Sequence, residues 1–143
     1  MDNVKQTSMT DSIKNNTNKL SLDDIKLLNV LYNFSVNSIV KYVVNAGIYY
    51  ESEAEKRAAK RFFRPLLKSF ENISSAVEDI CIKNRVSLTL GTFDVKYLDL
   101  SYLSYKFIKD YVEKELDYQR ETLHNLAETL NVSKAVENLA KSF

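Results

Sequence analysis

A chain of 143 residues sets the scale of a single domain. Hydrophobic residues make up 45% and charged residues 27%, as in ordinary globular proteins, and two Gly with one Pro are too few for the turns of a β-sandwich or barrel. Twenty basic residues against nineteen acidic ones leave a net charge of +1, which excludes a global pull toward nucleic acid or an anionic membrane.

Cys81 is the sole cysteine, so no intrachain disulfide can form. The N-terminus lacks an apolar h-region, and no apolar run approaches the roughly 18 residues of a membrane span. A reducing, cytoplasmic setting without a membrane partner is the expectation. There the Asn-x-Ser/Thr triplets at Asn15, Asn33, Asn72 and Asn131 have no glycosylation meaning.

Residues 1–19 are polar and without periodicity, and are read as a disordered tail preceding one domain over 20–143. The first helix opens at "SLDD", with Ser21 as cap and Asp24 near the positive end of the dipole. Leu28, Leu31, Ile39, Tyr42 and Ala46 form its apolar stripe, Ser35 lies in mid-stripe, and Gly47 marks its end. A second helical region covers about 52–84. Pro65 divides it, as a kink or as the first position of a new helix. Its buried face is Leu66, Phe70, Ile73, Val77 and Ile80, with Ser69 on that face and Asn72 at its edge.

Residues 85–100, "RVSLTLGTFDVKYLDL", are rich in β-branched and aromatic side chains and too long for a tight turn. They read as an extended crossover leading to a third helix over about 101–130, capped by Ser101 or Asp99. Ile108, Tyr111, Val112, Leu123 and Leu126 make its stripe; Glu115 falls in the middle of it and Gln119 one turn beyond. Asn131 or Ser133 opens a short final helix with Val132, Val136, Leu139 and Phe143 on one face. The fold class is therefore all-α. Three long helices and a short fourth pack most simply as a bundle.

Each long helix carries polar groups inside its stripe: Ser35, then Ser69 and Asn72, then Glu115 and Gln119. An unpaired buried polar group costs about 1–3 kcal/mol, so several at one level call for a cause. Inward polar groups are how bundles build metal sites. In helix order, crossover position and the placement of Glu115 within "KELDYQ", residues 22–130 resemble the ferritin-like superfamily of bacterioferritins, Dps-type mini-ferritins and rubrerythrin-like domains. "AVEDICIKNRVSLTLGTF" looks like the end of the family's second helix and its crossover turn.

The resemblance implies a ferritin-like bundle. It places the family's metal ligands on Ser35, on Ser69 and Asn72, and on Glu115. Of these only Glu115 keeps a ligand-type side chain, and one carboxylate cannot hold two irons. The short fourth helix has no histidine, and His124 falls on the polar side of the third helix. The expectation is a non-catalytic member of the fold, its di-iron site largely lost and no cofactor bound, acting in assembly or interaction. An iron-binding or ferroxidase protein with displaced ligands is the enzyme alternative. For Glu115 three environments compete: a buried carboxylate bonded to Tyr, Ser or Asn across the bundle, a residual metal ligand, or a carboxylate paired with a basic side chain at a subunit or solvent boundary.

Arg57, Lys60, Arg61, Arg64 and Lys68 recur at three- and four-residue spacing. They form a basic ridge, either a solvated face paired with Glu51, Glu53 and Glu55 or an anion or nucleic-acid contact. Asp110, Glu113, Asp117 and Glu121 read as solvated surface, and the nine tyrosines as packing residues. No phosphate loop, zinc spacing or nucleophile–base pair occurs. A truncated fourth helix should leave an apolar groove between the long ones, so a homodimer or larger assembly is expected.

Overall fold

The computed structural model describes residues 20–143. The tail expected over residues 1–19 lies outside the described residues. The described chain is all-helical: α1 (Leu22–Val36), α2 (Ile39–Ala46), α3 (Glu53–Lys83), a 3-10 helix (Val95–Leu100), α4 (Tyr105–Thr129) and α5 (Lys134–Lys141).

The opening cap forms as its residues dictate. Ser21 Oγ accepts from Asp24 N–H, and the Asp24 carboxylate accepts from Ser21 N–H in return. Asp24 is 4% exposed and has a second duty: it accepts from Ser133 N–H at 2.7 Å, while Asp23 accepts from Asn131 N–H at 2.9 Å. The two carboxylates at the start of α1 thus hold the turn that leads into α5.

The first long helix is not one rod. It breaks at Asn37–Ser38, where Ser38, fully buried, becomes the N-cap of α2 by accepting from Lys41 N–H. The stripe continues across the break: Leu27, Leu28 and Leu31 on α1 and Ile39, Val40 and Val43 on α2 are all fully buried. Gly47 ends α2 at a φ of +99°, with the Tyr102 ring 3.2 Å from where a Cβ would stand. Tyr102 N–H donates to Gly47 C=O, and Tyr49 exchanges backbone bonds with Leu103 and Tyr105, which fastens this turn to the start of α4.

The second long helix is continuous through Pro65. The residue lies on the exposed side, so the Arg61 carbonyl that loses its donor there can be met by water. Ala59, Phe63, Phe70, Ile73, Val77 and Cys81 are its buried face. The third starts at Tyr105, four residues later than expected, capped by Ser104 rather than Ser101 or Asp99, because the residues before it wind into the 3-10 helix.

α1 packs against α3, α4 and α5, and α2 against α3, α4 and the 3-10 helix. The expected open groove is partly filled. α5 lies on α1 and α4, and Phe143 beyond it stacks on Phe70 of α3 at 4.9 Å and tilts against Phe34 of α1 at 6.1 Å. What is left beside Phe70 is a cleft of about 280 Å³ whose walls mix Val36, Leu67, Lys41, Asn45, Glu71 and Ser74.

Candidate functional site: an ion pair at the expected metal level

Glu115 sits on α4 with its side chain 12% exposed. The 3-10 helix delivers its partners. Lys96 Nζ straddles the carboxylate at 2.8 Å and 3.0 Å from its two oxygens, and the Tyr97 hydroxyl donates to Oε1 at 3.3 Å. Gln119, one turn on and 3% exposed, donates through Nε2 to the Tyr97 oxygen at 3.3 Å; its Oε1 is buried without a protein partner. Asp94 caps the 3-10 helix by accepting from Lys96 N–H and lies 3.8 Å from the ammonium. The Tyr97 and Tyr118 rings each have the ammonium 5.8 Å from their centroids.

The electrostatics follow from this arrangement. Partial burial pulls the Lys96 ammonium down, but the hydrogen bond and charge of Glu115, helped by Asp94, outweigh it and raise the pKa. Burial, then the Glu115 carboxylate, push the Tyr97 hydroxyl well above its ordinary value. Tyr97 is therefore a neutral donor and Lys96 a fixed cation at physiological pH. The centre sits in a cleft of about 370 Å³ that also takes in Asn33 of α1, its C-cap Asn37, Thr92 and Tyr118.

Of the three environments weighed for Glu115, the structure combines two: a tyrosine bond and a basic partner. The other expected ligand positions do not join it. Ser35 is buried, but its hydroxyl donates to Leu31 C=O within α1 at 2.9 Å, and it lines the separate cleft beside Phe70. Ser69 is half-buried on α3, and Asn72 is exposed rather than at the edge of the buried face. The break at Asn37–Ser38 removes the continuous first rod on which a shared level depended. His124 is exposed and pairs with Glu128 at 2.9 Å. Among the described residues no group of three or more His, Cys, Asp or Glu gathers to hold a metal.

Arg57, Lys60, Arg61, Arg64 and Lys68 are all exposed, spread over about 100° of the helical wheel opposite the buried face of α3. The expected pairing with Glu51, Glu53 and Glu55 does not occur: among the described residues none of the five cations makes an ion pair. The acidic residues are spent on the N-terminal end of α3, where Glu55 accepts from Glu51 N–H and the dipole favours them.

Two features escaped the sequence reading. One is Lys96 as the partner of Glu115. The other is a ladder of asparagines on α1 and at its C-cap that grips the crossover. Asn29 accepts from Thr89 N–H at 2.9 Å; Asn33 donates to Thr89 C=O at 2.8 Å and accepts from Gly91 N–H at 2.6 Å; Asn37 donates to Gly91 C=O at 2.9 Å. The four-residue spacing was a visible signal. It advances about 6 Å along a helix, close to the roughly 6.6 Å between alternate residues of an extended strand. Gly91 fits this approach: a Cβ there would lie 3.0 Å from Asn33 Oδ1. Among the described residues no helix is long and apolar enough to cross a membrane. Compared with protein-family models, curated proteins and solved structures, the chain matches none.

Proposed function

We propose that this chain is a non-catalytic helical bundle of ferritin-like arrangement that acts as an oligomeric assembly or interaction protein. The observation that supports it is the Lys96 ammonium bound across both oxygens of Glu115 at 2.8 Å and 3.0 Å. A carboxylate that keeps a metal needs its charge answered by that metal; here a lysine from the crossover answers it. Ser35, spent on its own helix, and exposed Asn72 add no ligand. The exposed Leu90, Val95, Leu98 and Tyr102 along and beyond the crossover favour association over catalysis.

Metal analysis of protein purified without chelator tests this, together with a ferrous titration. Sub-stoichiometric iron agrees. One or two irons per chain would favour the alternative of an iron-binding protein with displaced ligands.

A second reading has its own observation. The ridge of Arg57, Lys60, Arg61, Arg64 and Lys68 is exposed and outside any ion pair among the described residues, so its charge is available to phosphates. In this reading the chain is a small nucleic-acid-binding subunit with backbone contacts and no base readout. A gel shift lost at high salt and in the Arg57→Glu, Arg61→Glu, Arg64→Glu triple variant supports it. A shift insensitive to both overturns it.

A further inference from the structure

The asparagine ladder uses only one edge of the crossover. Thr89 and Gly91 turn both their N–H and C=O groups toward α1. In an extended chain the residues between them present theirs to the opposite side. Among the described residues no protein group bonds the backbone N–H or C=O of Leu88 or Leu90. The segment thus runs like an extended chain bonded on one side by side-chain amides and, among the described residues, without a bonded partner on the other. Its free edge lacks the Lys, Pro or bulge that usually guards one. From Val86 to Phe93 no residue is charged, and Leu90 is 58% exposed.

We propose that two copies of this chain pair through this edge as antiparallel strands about a twofold axis, with Leu90 opposite its counterpart. This rests on the assembly reading above and names its partner and surface. Three features fit a second copy. In an extended chain Leu88, Leu90 and Thr92 present their backbone groups on the side away from α1, and antiparallel self-pairing centred on Leu90 matches them with one another: Leu90 with Leu90, Leu88 with Thr92. Opposite residues share a face, so the two Leu88 and two Leu90 side chains form one apolar strip. That strip adjoins the groove of about 290 Å³ lined by Tyr32, Cys81 and Ile82, the last 74% exposed. The ends are complementary as well. Exposed Arg85 precedes the neutral run and exposed Asp94 follows it, so an antiparallel partner brings Asp94 opposite Val86, beside Arg85.

Light scattering across a concentration series, with two variants, tests the pairing. Leu90→Lys sets like charges face to face at the twofold and, at a site exposed in the single chain, leaves the helical circular dichroism spectrum unchanged. It should weaken the dimer by about tenfold or more, the factor that corresponds to about 1.4 kcal/mol. Leu90→Cys in a Cys81→Ala background should form an intermolecular disulfide on oxidation. Opposed residues in a hydrogen-bonded antiparallel pair have Cα atoms about 5.5 Å apart, within disulfide range. Leu98→Cys in the same background, exposed but off the edge, should not. A wild-type dimer that survives Leu90→Lys and yields no Leu90→Cys cross-link overturns the crossover pairing while leaving the assembly reading standing. A wild-type chain that stays monomeric at its highest soluble concentration overturns the pairing and leaves a different protein as the only partner for assembly.

Discussion

Removing either member of the Lys96–Glu115 pair should have unequal consequences. Lys96→Met leaves the Glu115 carboxylate, 12% exposed, with a tyrosine hydroxyl as its remaining partner at the centre. Stripping a fully buried charge of its partner costs about 3–5 kcal/mol, whereas an exposed pair is worth about 0–1 kcal/mol. Lys96 is 41% exposed and the carboxylate keeps some access to water, so solvent screening places the cost between these limits, at about 1–2 kcal/mol. Glu115→Gln instead strands an ammonium that can swing into water, and the new amide can still accept from Tyr97; its cost is about 0.5–1 kcal/mol. For a chain of this length the lysine variant should lower Tm by about 2–8 °C. The glutamine variant should lower it by less, and high salt should narrow the gap. Thermal melts followed by circular dichroism, with the double variant to complete the cycle, measure this directly. If Glu115→Gln proves the more damaging, or neither moves Tm, the carboxylate is not held by Lys96 and the centre has been misread.

Other consequences follow from the same contacts. Asp24→Ala removes an acceptor from both Ser21 N–H and Ser133 N–H, so it should cost about 1–3 kcal/mol and speed amide exchange over 133–141 far more than over α3. Asn33→Ala cuts the ladder to Thr89 and Gly91; we expect a loss of about 1–2 kcal/mol with exchange rising in the crossover first. Lys96 and Tyr97 both have raised pKa values in the fold. The native state therefore holds their protons more tightly than the unfolded chain, and the stabilisation is complete below the unfolded values of about 10. It should be lost as pH climbs above about 10, and a Tm–pH profile of the Tyr97→Phe, Lys96→Met double variant should be flatter there.

Much of the architecture was legible because it depends on local signals. The Ser21–Asp24 capping box, the apolar face of α3 and the short helix after Ser133 all involve residues within one turn of each other, where periodicity and capping rules apply. The break at Asn37–Ser38 was invisible for the same reason. The apolar period runs through it unchanged and outweighs the Ser38 cap signal, while the bond from Asn37 to Gly91 that accompanies the break comes from far away in sequence. The inward position of Glu115 is visible on a helical wheel of α4, but its partner comes from a 3-10 helix 19 residues upstream, which that wheel alone cannot contain. Ser35 shows the limit of mid-stripe polarity as a signal: a serine can satisfy itself on the carbonyl four residues back and needs no partner across the bundle. The Asn29, Asn33, Asn37 spacing is readable in the sequence, because side-chain amides four residues apart on a helix can bond an extended segment as a neighbouring strand would.

The inward carboxylate of α4 is neutralised either by Lys96 or by a metal. Ferrous titration of chelator-free protein, read by elemental analysis after desalting, decides this most directly. Iron well below one equivalent per chain, equal in wild type and in Glu115→Gln, is the predicted result. One or more retained equivalents that vanish in Glu115→Gln would contradict it.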